Sequence, residues 1–168
     1  PERCAVPVVA AVQGMAIGGA VDLLTACDLR YCAADATFCV KEIDLAIVAD
    51  IGTLQRLPHI IGDAMTRELA MTGRRFDAAE AKGMGLVSRI FDDAAALEDG
   101  AMALARELAA KSPLTMRGIK NTLNYGRGRT VADGLERVAL WNAAMLMSKD
   151  AQEAISATVE KRSATFDD

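Results

Sequence analysis

The chain has 168 residues, 52% of them hydrophobic, and a formal net charge of −4 at pH 7. This length and apolar content are enough for a single hydrophobic core. A net negative charge provides no basic field to collect phosphates, so we expect no nucleic-acid partner. No apolar run is long enough to cross a bilayer, and the first residues show no secretory signal, so we expect no membrane partner.

The four cysteines lie among apolar residues. They form no CxxC pair, and the chain has one histidine, so the sequence predicts buried free thiols and no metal site. Free thiols are typical of a reducing, intracellular compartment. The positions are Cys4, Cys27, Cys32 and Cys39.

Short apolar runs and glycines organise the first part of the chain. Residues 8–12 are β-branched or small and lie between Pro7 and Gly14, which is typical of a strand buried on both faces. A glycine-containing turn follows, and a helical pattern begins at Gly19. Residues 29–32 and 37–40 then predict two short strands.

Residues 41–52 show no clear periodicity and contain three carboxylates, Glu42, Asp44 and Asp50. This pattern predicts a loop with at most a helical turn. Loops on rigid scaffolds often carry functional residues. Helical patterns follow from residue 53 and over residues 63–72.

Helix-start signals recur in the rest of the chain. Asp77 and Glu80 have the spacing of a capping box, and Ser112 before Pro113 is a typical helix start. Residues 86–91 alternate like a strand, and residues 94–110 are an alanine-rich helix. Further starts at residues 130–133 and 150–153 predict that the last third is helical.

Two glycines separate the first buried strand from the following helix. Backbone N–H groups at a helix N-terminus face outward at the positive end of the helix dipole and bind anions. The segment from Gly14 to Gly19 is therefore a candidate site for a phosphate, or for the oxyanion of a thioester enolate. Glycine spacing alone is also explained by a tight turn.

Several segments resemble the crotonase (enoyl-CoA hydratase/isomerase) family in family order, over nearly the whole chain. The resemblance is carried by PVVAAVQGMAIGGAVDLLTACDLRY at residues 7–31, TFCVKEIDLAI at 37–47, GTLQRLP at 52–58, FDAAEAKGMGLV at 76–87 and KSP at 111–113. It implies an α/β fold, a crotonase-like ββα spiral followed by helices. Residues 1–104 would form the C-terminal part of the spiral core, and residues 105–168 a helical oligomerisation region that builds trimers or hexamers.

The resemblance also implies roles for particular residues. Gly19 stands where the family supplies one oxyanion-hole N–H group. Asp22 and Glu42 stand where hydratases carry two catalytic acids, and Asp50 stands where dienoyl-CoA isomerases carry a third carboxylate. Ala20 replaces a third glycine of many relatives, a small change that leaves the turn intact.

The implied reaction is the isomerisation of a 3,5-dienoyl-CoA to a 2,4-dienoyl-CoA in fatty acid β-oxidation. A thioester makes the adjacent carbon acidic, and moving a diene requires one carboxyl group that takes a proton and another that gives one. We expect Glu42 to act at carbon 2, Asp50 at carbon 6 and Asp22 to tune the site. No metal or redox cofactor is expected, because coenzyme A is part of the substrate.

Two alternatives remain open. In an enoyl-CoA hydratase, Asp22 and Glu42 would activate water together, and Asp50 would only line the pocket. A non-catalytic assembly module is the other, because the family's first half has no counterpart before Pro1. We therefore expect either a longer natural protein or a chain that does not bind acyl-CoA as relatives do. We expect a cytoplasmic location, or a mitochondrial or peroxisomal one if a further segment precedes Pro1.

Overall fold

A computed structural model describes residues 1–167 of the chain. The chain divides into two compact units. The first comprises Pro1–Arg3 and Val8–Leu104, and the second comprises Cys4–Pro7 and the chain from Ala105 onward. The first unit is mixed α/β, and the regular structure of the second is helical. The roles predicted for residues 1–104 and 105–168 stay predictions.

Successive turns of the chain in the first unit each give one strand to each of two three-stranded sheets. In one sheet the order is β1, β3, β6 and both pairings are parallel. In the other the order is β2, β4, β5, with β2 parallel and β5 antiparallel to β4. This stacking confirms the predicted ββα spiral. The strands are β1 (Val9–Val12), β2 (Met15–Ile17), β3 (Leu29–Ala33), β4 (Thr37–Cys39), β5 (Arg75–Asp77) and β6 (Arg89–Phe91).

Four helices of the first unit close around a common core. A single 3₁₀ turn, Glu42–Leu45, interrupts the segment predicted to be a loop. The largest fully buried core side chains include Phe38, Leu57, Leu69 and Leu86, and Phe38 stacks on Phe76 with ring centroids 5.4 Å apart. The helices are α1 (Gly19–Ala26), α2 (Thr53–Ile61), α3 (Asp63–Thr72) and α4 (Ala78–Gly83).

The last third of the chain is helical, as predicted. Ser112 caps its helix by accepting from the Thr115 N–H, and Thr130 and Asp133 form a reciprocal capping box. In the described part of the chain, no helix is both long and apolar enough to span a bilayer. The helices are α5 (Ala94–Ala109), α6 (Pro113–Gly126), α7 (Val131–Met145) and α8 (Lys149–Glu160).

Four expectations from the sequence are wrong. The strand predicted to be buried on both faces, β1, has an exposed residue, Ala11, and only Val12 is buried. Glu80 does not complete a capping box at Asp77, because its carboxylate binds the Arg74 guanidinium, with Nη1 at 3.0 Å from Oε2. Helix α8 begins at Lys149 and is capped by Ser148, two residues before the predicted cap. All four cysteines are free, but Cys4 is exposed. The short strands β2 and β5 were also not predicted.

Candidate active site

The glycine loop between β2 and α1 ends at a helix N-terminus that lines a cavity. Gly18 has φ of +58°, and its N–H donates to the Cys39 carbonyl at 2.9 Å, which fixes the loop to β4. Gly19 is the first residue of α1, so its N–H has no acceptor within the helix. Gly19 lines a cavity of about 450 Å³. The loop therefore offers a donor at the positive end of the helix dipole.

Glu42 is a buried carboxylate, and one of its oxygens has no hydrogen-bond partner among the described residues. It begins the 3₁₀ turn directly after β4, and it is 9% exposed. Its Oε1 lies 3.2 Å from the position that a Cβ on Gly18 would occupy. Its Oε2 is buried and has no hydrogen-bond partner among the described residues. A buried polar atom without a partner is uncommon and calls for an explanation such as a catalytic role.

Apolar side chains surround Glu42 in a second cavity, of about 350 Å³. The wall comes from the loop after β4 and from α2 and α3. Its polar and charged residues are Glu42, Asp63, Thr66 and Arg67. Such a pocket, mostly apolar with a few polar groups, is typical of small-molecule sites. The apolar side chains of its lining are Val40, Ile43, Ile47, Val48, Ala49, Leu54, Pro58, Ala70 and Met71.

Asp22 is engaged with the main chain of another helix. It is 3% exposed, and its Oδ1 accepts a hydrogen bond of 2.7 Å from the Thr53 N–H at the start of α2. The same residue lines the cavity that contains Gly19. Thr53 was missed by the sequence reasoning. Gly52 at the helix start, which has no side chain to act as a cap, is the signal that points to an external partner.

Asp50 lies in the chain segment that connects the linings of the two cavities. It is exposed, and its neighbours Ala49 and Ile51 line the cavities of Glu42 and of Asp22 respectively. Asp50 itself lines neither of these two. The structure thus places the Glu42 carboxylate beside the glycine loop, and it places Asp22 and Gly19 in the lining of one cavity. Asp50 lies on the segment between the linings of the two cavities.

Comparison with known proteins identifies the family. Residues 2–168 match the profile of the enoyl-CoA hydratase/isomerase family. The chain belongs to this family. Within it, the chain is 53% identical over 165 residues to the peroxisomal Delta(3,5)-Delta(2,4)-dienoyl-CoA isomerase of Arabidopsis thaliana, with 98% of this chain and 59% of the relative covered. It is 51% identical over 162 residues to the mitochondrial Delta(3,5)-Delta(2,4)-dienoyl-CoA isomerase of Homo sapiens, with 96% and 49% covered.

A solved structure supports the same enoyl-CoA hydratase/isomerase fold. The crystal structure of enoyl-CoA hydratase from Bacillus anthracis superposes with a TM-score of 0.94 at 35% identity, covering 98% of this chain and 64% of that one. The crotonase fold implied by the sequence is confirmed. The chain spans 49% to 59% of the length of the two isomerases it resembles. The predicted roles of Gly19, Asp22, Glu42 and Asp50 stay predictions.

Proposed function

We propose that the protein containing this chain isomerises 3,5-dienoyl-CoA thioesters to 2,4-dienoyl-CoA thioesters in fatty acid β-oxidation. One structural observation carries the proposal. Glu42 lies in the lining of a largely apolar cavity, where its buried Oε2 has no hydrogen-bond partner among the described residues, and its Oε1 lies beside the glycine loop. Two relatives that are 53% and 51% identical to the chain are named dienoyl-CoA isomerases, which supports the choice of reaction.

The first step is proton removal from carbon 2. Glu42 takes this proton, and the electron pair moves into the thioester carbonyl to form an enolate conjugated with the diene. The Gly19 N–H, on an exposed residue at the start of α1, donates to the developing oxyanion and so favours the enolate. Each group acts on charge that develops in the transition state, which is the requirement for catalysis.

The second step is proton delivery at carbon 6. The enolate electrons return along the chain, so double bonds form between carbons 2 and 3 and between carbons 4 and 5. Asp50 gives the proton. Before the next turnover Glu42 must release the proton that it took and Asp50, whose side chain is exposed, must take one up from water. The two steps use carboxyl groups and backbone N–H groups only, so we propose no metal or redox cofactor, with coenzyme A as part of the substrate.

Paired variants of the complete natural protein test this assignment. Asp50→Asn removes the distal acid, so diene isomerisation should fall by roughly 10²–10⁴ while deuterium uptake at carbon 2 survives. Glu42→Gln should abolish both signals. Diene absorbance in the ultraviolet measures isomerisation, and mass spectrometry of the recovered substrate measures deuterium uptake at carbon 2.

The same preparations distinguish the alternatives. Hydration of crotonyl-CoA without diene isomerisation would replace the proposal with an enoyl-CoA hydratase. Undiminished isomerisation by Asp50→Asn would reject Asp50 as the distal acid. A well-folded protein without either activity would favour an assembly module.

We further propose that the protein forms homotrimers or homohexamers through its helical region. Helices α7 and α8 carry large exposed apolar side chains, more than a helix usually leaves to water. A groove of about 420 Å³ between α6, α7 and α8 is lined mainly by apolar side chains. The exposed residues include Val131, Leu135, Leu140, Ile155 and Val159.

Light scattering at micromolar concentration tests the assembly, and a monomeric mass would contradict it. The cytoplasmic location expected from the sequence stays a prediction. The two isomerases compared above are named for the peroxisome and the mitochondrion.

A further inference from the structure

Asp22 caps a helix to which it does not belong. Its Oδ1 accepts from the Thr53 N–H at 2.7 Å, and both residues are buried, at 3% and 1% exposed. The residue before Thr53 is Gly52, which provides no side-chain cap for the first turn of α2. The first N–H groups of a helix need an acceptor from outside its own ladder. Asp22 therefore supplies from α1 the cap that Gly52 lacks.

Arg56 holds the same segment on the other side of Gly52. Its Nη1 donates to the Ile51 carbonyl at 3.0 Å, and its Nη2 pairs with the Glu2 carboxylate at 2.8 Å. Gly52 has φ of +111°, and a Cβ there would overlap this guanidinium. A side chain at position 52 would displace Arg56, so glycine fits there. The main chain of the segment is held at two points, by Asp22 at Thr53 and by Arg56 at Ile51.

Asp50 depends on this main chain for its position, because its exposed side chain makes no hydrogen bond or ion pair within residues 1–167. We infer that Asp22 is a positioning residue: by capping Thr53 it sets the backbone that carries Asp50, and it exchanges no proton with the substrate. The inference rests on the proposed isomerisation. It gives Asp22 a different role from Glu42, whose buried Oε2 has no hydrogen-bond partner among the described residues.

Substitutions at Asp22 in the complete natural protein test this role. Asparagine keeps an oxygen for the Thr53 N–H but cannot exchange a proton near neutral pH. Asp22→Ala should lower diene isomerisation by roughly 10²-fold, as expected for a misplaced group, while deuterium uptake at carbon 2 survives. Asp22→Asn should isomerise dienes at least about tenfold faster than Asp22→Ala. Asp44→Ala, which removes an exposed carboxylate from the same 41–52 segment, is the control and should leave exchange at residues 50–56 unchanged.

A double variant sharpens the test. Asp22→Ala added to Asp50→Asn should lower the rate by less than about twofold further, because the group that Asp22 positions is already disabled. Full additivity, or equal losses in Asp22→Asn and Asp22→Ala, would overturn the inference.

Hydrogen exchange gives a readout that does not depend on activity. Amides of residues 50–56 should exchange faster in Asp22→Ala than in the wild type and in Asp22→Asn. Unchanged protection in Asp22→Ala would also overturn the inference. A wild-type protein that does not isomerise dienes would reject the proposed function, and the exchange result would still decide whether Asp22 holds the segment.

Discussion

Gly18 and Gly14 form a matched pair for testing how the glycine loop positions Glu42. Both have left-handed backbones, with φ of +58° and +62°. A Cβ on Gly14 would meet nothing within 4 Å, whereas a Cβ on Gly18 would lie 3.2 Å from Glu42 Oε1. Replacing either glycine by alanine should lower the free energy of unfolding by about 1–2 kcal/mol, the cost of a side chain in this conformation. Only Gly18→Ala should also displace the carboxylate.

The displacement sets the size of the effect on activity. At 3.2 Å the carboxylate must move by a few tenths of an ångström. Because a misplacement of about 1 Å can cost about 10²-fold in rate, we expect kcat for diene isomerisation to be about tenfold lower in Gly18→Ala than in Gly14→Ala. Urea unfolding measures the backbone cost, and steady-state kinetics measure the rest. Equal rates in the two variants would refute the claim that Gly18 sets the position of Glu42.

Other variants test packing and charge. Gly118→Ala should lower the free energy of unfolding by about 1–3 kcal/mol, because a Cβ there would overlap the indole ring of α7, while Gly134→Ala has open space and should gain up to about 1 kcal/mol. Leu69→Ala should cost about 2–5 kcal/mol, since this side chain is fully buried, and urea unfolding measures all three. Hydrogen bonds from Arg162 lower the pKa of Glu153 from 4.5 to about 2, so their stabilisation is complete above pH 4.5 and is lost as the pH falls towards 2. Arg162→Gln should return the pKa of Glu153, followed by NMR, towards its ordinary value; an unchanged pKa would contradict this cause.

Elements with a strong local signal were predictable from the sequence. Helix α5 follows from an alanine-rich run, and the structure places both of its ends within a residue of expectation. The start of α6 follows from a serine before Pro113 and is where it was predicted. Strands β2 and β5 have three residues each, too few for alternation to show. They exist because β4 pairs with one on each side, which is a property of the fold rather than of either segment.

The candidate site was also predictable from the sequence only in part. Its residues followed from the family resemblance, but their contacts did not. Asp22 and Thr53 are 31 positions apart, and no local pattern links them. Glu80 had the spacing to reach back to its own helix start, but Arg74 offers it a charged partner instead. Competition between a local and a tertiary partner is decided by geometry that the sequence does not display.

The short links between the two sheets have a consequence for folding errors. Two residues separate β1 from β2, and three separate β3 from β4. A strand that slips by one residue turns its side chains to the opposite face. Here a slip between β1 and β3 would also drag β2 along β4, and both sheets would bury the wrong side chains at once. We therefore expect a misaligned pairing to be penalised in both sheets, which favours the correct register although the strands are short.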